Sequence, residues 1–562
     1  MEKHAAEGDD RVFKDTDRIS SLPQSILHHI LSFLFQRNAI QTSVLSKSWL
    51  HLGSTRPNFK LRESYFRGDK ETFISALDKT LQRYRDQKLS IHDFHLEISE
   101  VDSESIPLLE KWIPIVVSDL GVVTFRLHIV SHRSAYFDLP SVVIEAEFLE
   151  DLFLERCKIS SIEKLSLKHL KTLYLHQVCI AEKTFDKIMS SVPLIESVSI
   201  YSCQGLRTIK VYKHHNLKEF CFDSYNWYKT YDVSSVEIDV RTLETLRIFN
   251  CSTWYHHHKH FPHVKSLHLN NVQLSTKSFD SFSCNFPCLE KLRLVCCDGF
   301  EEFKLSNSSI KHFIIEGMVE KSVRATIDAP NLVEFKYQGD IPSSISFATT
   351  YGEWKSMISV WSDVDIDFDA SSWFLKLHEV VSALSHSEIS LDLLLRRRMD
   401  LDIEEDPPPA LIVPDVLCIC ELVVVEHLEL RLQGFHSASY VSAFVSCLFC
   451  ICRPRKISMH YWYTDAVTES EREHNQVIQY LCSFFQMEIR EQEIMSCWQQ
   501  DLEEVSMEVL NEDNDDDEDE EWYPIHATSW SEYLTGFLPD QKVQPRFRLK
   551  WRDNPVASQI YI

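Results

Sequence analysis

Nine times between residues 149 and 337 the chain returns to one pattern, an apolar residue followed by two more at the fourth and sixth positions. It reads "LEDLFL" from Leu149, "LKTLYL" from Leu170, "IESVSI" from Ile195, "LKEFCF" from Leu217 and "LETLRI" from Leu243. The series continues with "VKSLHL" from Val264, "LEKLRL" from Leu289, "IKHFII" from Ile310 and "LVEFKY" from Leu332, successive starts lying 21 to 26 residues apart. A short strand turns alternate side chains to opposite faces, so positions four and six enter a core together. One such unit cannot cover its own apolar face, whereas a stack of them buries a continuous core.

That period is leucine-rich-repeat spacing, and it predicts an α/β solenoid with parallel strands along its concave face. Fainter copies start at Ile91 ("IHDFHL"), Val122 ("VVTFRL") and Val425 ("VEHLEL"), which brings the expected total to roughly a dozen coils. The ninth position of a unit takes a buried Asn or Cys, and here it holds Cys157, Cys203, Cys251 and Cys297. These thiols read as small buried hydrophobes. The 16 cysteines are spread along the whole chain, a distribution that suits reduced thiols in an intracellular protein rather than a disulfide framework.

Positions three, five and seven of each unit are expected to face outward on the concave wall. They begin acidic, with Asp151, Glu155, Glu219 and Asp223, and Cys221 is among them. They turn basic and aromatic in the centre. The candidate substrate-binding residues on this wall are Tyr174, His176, Tyr201, Arg247, Phe249, His268, Lys291 and Arg293. Exposed aromatics beside arginines are the composition of protein-binding hot spots.

Charge and motif content narrow the function classes. A formal net charge of -26 argues against nucleic acid as a partner, because phosphate binding needs a basic face. No stretch approaches the about 20 uninterrupted apolar residues of a membrane span, and the opening is too polar for a secretory signal, so no membrane partner is expected and the nucleus or cytoplasm is the expected location. With 11 glycines there is little material for phosphate-cradling loops, and P-loop, G-x-S-x-G and H-E-x-x-H motifs are missing. The reading is therefore a non-catalytic protein without cofactor or metal. "WYHHHKHFPH" gathers His256, His257, His258, His260 and His263, which reads as an exposed polar loop, and "CLFCIC" with Cys447, Cys450 and Cys452 reads as a buried element.

Ahead of the repeats, "SLPQSILHHILSFLFQRNAIQTSVLSKSW" concentrates apolar residues. Pro23 suits the first turn of a helix, and Ile26, Leu27, Ile30, Leu31 and Leu34 then fall on one stripe. Ala39, Ile40, Val44 and Leu45 form a second cluster, and Ser46 can cap a third short helix carrying Trp49 and Leu52. Three helices in about 35 residues cannot enclose so much apolar surface, which leaves part of it for another chain.

Across residues 17 to 52, "DRISSLPQSILHHILSFL" followed by "TSVLSKSW" resembles the plant F-box. With the repeats behind it, the chain resembles the plant F-box/LRR-repeat family over about residues 17 to 435. Ser48 stands where that family more often has Arg. The resemblance implies a substrate-recognition subunit of a Skp-cullin-F-box ubiquitin ligase, in which the F-box docks on the Skp adaptor, and through it cullin, while the repeats hold the protein to be ubiquitylated. By motif position it assigns Leu22, Pro23, Ile26, Leu27, Ile30, Leu31, Val44, Leu45 and Trp49 to the adaptor face or the F-box core. Two other functions stay open on the residues alone. One is a small-molecule co-receptor with a basic pocket around Arg247, Lys291 and Arg293, and the other is a scaffold independent of the ligase.

The expected organisation is a disordered stretch over 1–16, the three-helix F-box over 17–60, a helical linker and solenoid cap over 61–90, and the solenoid over 91–435. Further repeats or a cap follow over 436–510, then an acidic run over 511–523 and a tail over 524–562. In the linker, Phe73, Leu77, Leu81 and Tyr84 recur at helical spacing, a helix expected to close the first coil. Val477, Ile478, Leu481, Phe484 and Phe485 form a similar stripe in the C-terminal cap. "RFRLKWR" alternates Phe547, Leu549 and Trp551 with basic residues and reads as an edge strand whose basic face is free for the acidic run or an acidic partner.

Overall fold

The computed structural model describes residues 22–32, 42, 49, 55–130, 136–160, 164–225, 235–251, 254–255, 260–274, 282–297, 302–318, 324–348, 352–364, 369–396, 422–433, 437–459, 467–488, 498–510, 522–525, 530 and 545–552. The chain divides into two compact units, Met1–Val240 and Arg241–Ile562. No helix among the described residues is long and apolar enough to cross a membrane.

In the first unit, helix α1 (Gln24–Ser32) precedes a parallel ladder. Its strands are β1 (Asn58–Arg62), β2 (Asp93–Ile98), β3 (Thr124–Ile129), β4 (Asp151–Glu155), β5 (Thr172–His176), β6 (Ser197–Tyr201) and β7 (Glu219–Asp223), paired in that order without slippage. Helices α2 (Lys70–Asp86), α3 (Ser105–Ser118) and α4 (Glu182–Ser190) supply three of the return paths. α2 forms as its sequence dictates. Asp69 caps it by accepting from the Thr72 amide, and Phe73, Leu77, Leu81 and Tyr84 are buried along one stripe. The Tyr84 hydroxyl donates to the Arg56 carbonyl at 2.7 Å, satisfying a polar group inside the core. Because β1 precedes it and pairs with β2, α2 is the crossover of the first coil, and the ladder starts at Asn58, within the stretch assigned from sequence to the F-box.

The repeat register holds in every coil. Positions four and six are buried in each unit, from Leu152 and Leu154 to Phe335 and Tyr337. Position eight adopts the left-handed conformation at Arg156, Gln177, Ser202, Asn250, Asn271, Cys296 and Gly317. This recurring turn takes the chain off the concave face. Gly317 shares this conformation with φ of +64°, and an added Cβ there would lie 2.7 Å from the Cys296 Sγ. Position two alternates in charge. In the first unit Lys171 pairs with Glu150 at 2.7 Å and Lys218 with Glu196 at 2.9 Å, and in the second Lys265 pairs with Glu244 and Lys311 with Glu290, both at 3.0 Å. Exposed pairs like these add little stability each, but a slip of one coil would set like charges side by side.

The second unit continues the same construction with β8 (Thr245–Cys251), β9 (Ser266–Val272), β10 (Lys291–Val295), β11 (His312–Met318), β12 (Glu334–Gly339), β13 (Lys355–Asp363), β14 (Glu388–Arg396), β15 (His427–Gln433) and β16 (Lys456–Met459), all parallel in that order. Helices α5 (Ala370–Ala383), α6 (Ala438–Phe449) and α7 (Val467–Glu488) belong to its C-terminal half. Strands β17 (Leu502–Leu510), β18 (Trp522–Ile525) and β19 (Pro545–Trp551) then close the ladder in antiparallel fashion.

The edge-strand reading of "RFRLKWR" is corrected by this pairing. β19 lies between β16 and β17 and is hydrogen-bonded on both sides. Its alternation holds, with Phe547 and Leu549 buried, but its basic face is not free for the acidic run. Arg546 and Arg548 both pair with Glu508 of β17 at 2.6 Å, and Lys550 reaches Glu503 at 3.3 Å. Neighbouring strands place these side chains opposite one another, so they neutralise locally. Beneath them Phe449, Phe485, Trp498 and Phe547 pack with the α7 stripe, and the buried Arg453–Asp501 ion pair ties the last coil to the closing strands.

Candidate functional site

Two surfaces carry the residues singled out from sequence. On α1, Leu27, Leu31 and Trp49 form a buried cluster with Leu22 packed against it. The Pro23 carbonyl accepts from the Ile26 and Leu27 amides at 2.9 and 3.1 Å, which opens the helix at the expected residue. Two further residues of the stripe face out: Ile26 is 45% and Ile30 37% exposed, and Pro23 is exposed as well, while Leu34 lies outside the described residues. Side chains four apart on a helix are neighbours, so Pro23, Ile26 and Ile30 make a continuous apolar strip beside the module's own core. Val44 and Leu45 lie outside the described residues.

The other candidate residues stand at the outward-facing positions of the two ladders, one set in each unit. In the first unit the seventh positions line up as Arg62, Glu97, His128, Glu155, His176 and Tyr201 on six consecutive strands. Arg62 lies 3.1 Å from Glu97, His128 3.0 Å from Glu155, and His176 donates to the other Glu155 oxygen at 2.6 Å. Burial opposes ionisation of Glu155, yet the hydrogen bonds from His128 and then His176 outweigh it and hold its pKa at about 2. The same Glu155 bond raises His128 above its usual 6.5. At position five, Arg126 lies over the Phe153 ring at 4.4 Å, and Phe153, Tyr174 and the position-seven Tyr201 follow at centroid spacings of 5.7 and 5.4 Å. Of the acidic residues expected at this end of the wall, Glu155 is neutralised by its two histidine neighbours. Cys221, expected to face outward, is buried, with the Tyr201 hydroxyl bonded to its thiol; a small side chain between larger neighbours is covered by them.

Sequence reading missed Lys60, Arg62, His95, Arg126 and His128, which share this wall. His95, Arg126 and His128 occupy positions five and seven of the faint copies at Ile91 and Val122 and were legible there. The Glu155 network has a pH signature. Its carboxylate stabilises the fold above the ordinary value of 4.5 and loses that contribution as pH falls toward 2, whereas His128 contributes below 6.5 and loses it as pH rises past its raised pKa. Glu155→Gln is therefore expected to lower the His128 midpoint in an NMR titration. An unchanged midpoint means another group sets it.

In the second unit the fifth positions run Arg247, His268, Arg293, Ile314 and Lys336 across five adjacent strands, with Lys291 and His312 at position three. Phe249 meets the His268 ring edge-on at 4.6 Å. Arg293 is engaged by Glu316 at 2.6 Å and Lys336 by Glu334 at 2.9 Å. Burial, then Arg293, Arg247 and Lys291, push the His268 pKa down to about 4. Of the histidine run, His256, His257 and His258 lie outside the described residues, and His260 is bonded to the Cys284 carbonyl at 2.9 Å. Cys447, Cys450 and Cys452 are buried.

Three family models match the chain: an F-box domain over residues 19–61, the LRR domain of At1g61320/AtMIF1 over 84–251, and, overlapping it, the LRR repeats of FBD-associated F-box protein At5g56370 over 207–346. Among curated relatives, the putative F-box/LRR-repeat protein At3g18150 of Arabidopsis thaliana is 27% identical over 52% of this chain and 55% of its own length. F-box/LRR-repeat protein At4g14096 of the same plant is 35% identical over 32% of this chain and 39% of its own length. The chain spans about half the length of several of the relatives it matches. F-box/LRR-repeat protein 25 of Arabidopsis thaliana is 30% identical over 36% of this chain and 73% of its own length. With α1 opening the matched F-box and two parallel ladders of leucine-rich coils behind it, the chain belongs to the plant F-box/LRR-repeat family.

Proposed function

We propose that the protein is a substrate-recognition subunit of a Skp-cullin-F-box ubiquitin ligase, acting in the nucleus or cytoplasm. The observation that carries this reading is the division of labour on α1: Leu27 and Leu31 close on Trp49, while Pro23, Ile26 and Ile30 are left exposed. An exposed apolar strip next to a completed core is the surface that a partner chain covers. In this reading the Skp adaptor covers it and links the chain to cullin. Of the assigned adaptor residues, Pro23, Ile26 and Ile30 make the contact, and Leu22, Leu27, Leu31 and Trp49 hold them in place.

The concave wall then holds the target protein, with Tyr174, His176 and Tyr201 in the first unit and Arg247, Phe249, His268, Lys291 and Arg293 in the second as the candidate contacts. The protein contributes positioning and no chemistry of its own. A lysine held near the conjugating enzyme reacts at a raised effective concentration. Deleting residues 17 to 52 tests the scheme in cells. The shortened chain should still retain its target, and ubiquitylation of that target should fall to background. Unchanged ubiquitylation would refute the assignment.

A further inference from the structure

We propose that the segment of the target seated on strands β8 to β11 is an acidic peptide, held by Arg247 and Lys291 on either side of His268. This rests on the substrate-recognition reading and adds the chemistry of the substrate to it. The argument is one of charge complementarity. In the first unit Arg62 is consumed by Glu97 and His128 by Glu155. In the second unit Arg293 and Lys336 are consumed in the same way by Glu316 and Glu334. Arg247 and Lys291 are exposed, and among the described residues no carboxylate lies within ion-pairing distance of either.

Their placement follows from the register. Arg247 stands beside His268, which stands beside Arg293, and Lys291 lies two residues before Arg293 on the same strand. Adjacent strands lie about 4.8 Å apart, so the two free cations flank the imidazole within the reach of one short segment. The imidazole Nε2 and the Arg293 Nε are both enclosed and unbonded. Arg293, Arg247 and Lys291 all act on the half-buried His268, so an anion placed among them would offset their mutual repulsion. A carboxylate at this place would pair with both cations. Its neighbouring apolar side chains would rest on Phe249 and Val295, the half-buried seventh positions of the same coils.

Nucleic acid fits this surface poorly, because among the described residues of these strands Arg247 and Lys291 alone are cations without an ion pair, and the chain as a whole is acidic. Phosphorylated peptide presents the same charge, and the experiment separates it. The probe is a short fluorescein-labelled peptide with Asp and Glu around one Phe, compared with its Asn and Gln counterpart, in fluorescence polarisation against the full chain. The acidic peptide should bind at least about tenfold tighter than its amide counterpart, and weaken as salt is raised. Arg247→Glu with Lys291→Glu should abolish the difference, while Lys79→Glu with Arg83→Glu on α2 leaves it unchanged. Binding should also raise the His268 midpoint from about 4 in an NMR titration of the wild-type chain, with its far-UV circular dichroism spectrum unchanged.

Equal binding of the acidic and amide peptides overturns the proposal, as does equal loss in the two double variants. Binding confined to a phosphorylated version of the probe also overturns it and assigns the site to phosphopeptide. None of these outcomes touches the adaptor interaction of α1. A failure of the substrate-recognition reading itself would instead leave the acidic peptide bound and the adaptor unbound.

Discussion

Ile26→Asp combined with Ile30→Asp is expected to abolish adaptor binding. The two side chains are 45% and 37% exposed, so charge there costs the isolated F-box little. In the complex the same positions would be desolvated against an apolar partner, where a buried unpaired carboxylate is severely penalised. Hot-spot truncations alone reach 2 kcal/mol or more each, so the pair should weaken binding by at least about a thousandfold. Far-UV circular dichroism should be unchanged. Leu27→Asp makes the internal comparison: Leu27 is buried against Trp49, so that change should unfold the module and lose binding through structure. Adaptor pull-down that survives both exposed substitutions would show that the strip is not the docking face.

Leu292→Ala is expected to destabilise the second unit by about 2 to 5 kcal/mol, the range for a leucine removed from a packed core. Leu292, at position four of its repeat, is fully buried on β10 between Leu267 of β9 and Phe313 of β11 in the register. Arg293, the next residue, faces the wall and is paired with Glu316. Its replacement by Ala should cost at most about 1 kcal/mol, the ceiling for an exposed ion pair. Urea melts of the two variants read the register directly. Similar losses would mean that positions four and five are not divided between core and wall.

The repeats were legible because their period fixes geometry. Once Leu149 and its successors are aligned, the parity of a strand decides which side chains are buried, and Leu152, Leu173 and Leu246 follow without further information. The alternation of Glu150, Lys171, Glu196 and Lys218 at position two was equally open to reading and went unread. β1 was missed for a physical reason. "NFKLR" buries Phe59 but leaves Leu61 only half-buried, so it lacks the paired apolar signature of an inner coil.

What sequence could not supply was contact between distant segments. Trp551 donates to the Pro454 carbonyl at 2.7 Å across 97 residues of chain, and nothing in "RFRLKWR" says that β19 enters between β16 and β17. The wall shows the same limit. Glu155 reads as an acidic residue until the register sets His128 and His176 on either side of it. Arg247 and Lys291 read as two more cations among several until the pairing of Arg293 and Lys336 shows which of them are left over. On α1 the period gave the stripe, but the packing of Trp49 was needed to divide it into core and docking strip.

The central claim is that residues 17 to 52 hold a Skp adaptor while the repeats remain free for a target. Light scattering on the full chain mixed with purified Skp adaptor measures this directly. A single species with the mass of a one-to-one complex is the predicted result, and deletion of residues 17 to 52 should return the two proteins to separate peaks. Absence of a complex with the intact chain, or a complex that persists after the deletion, would contradict the account.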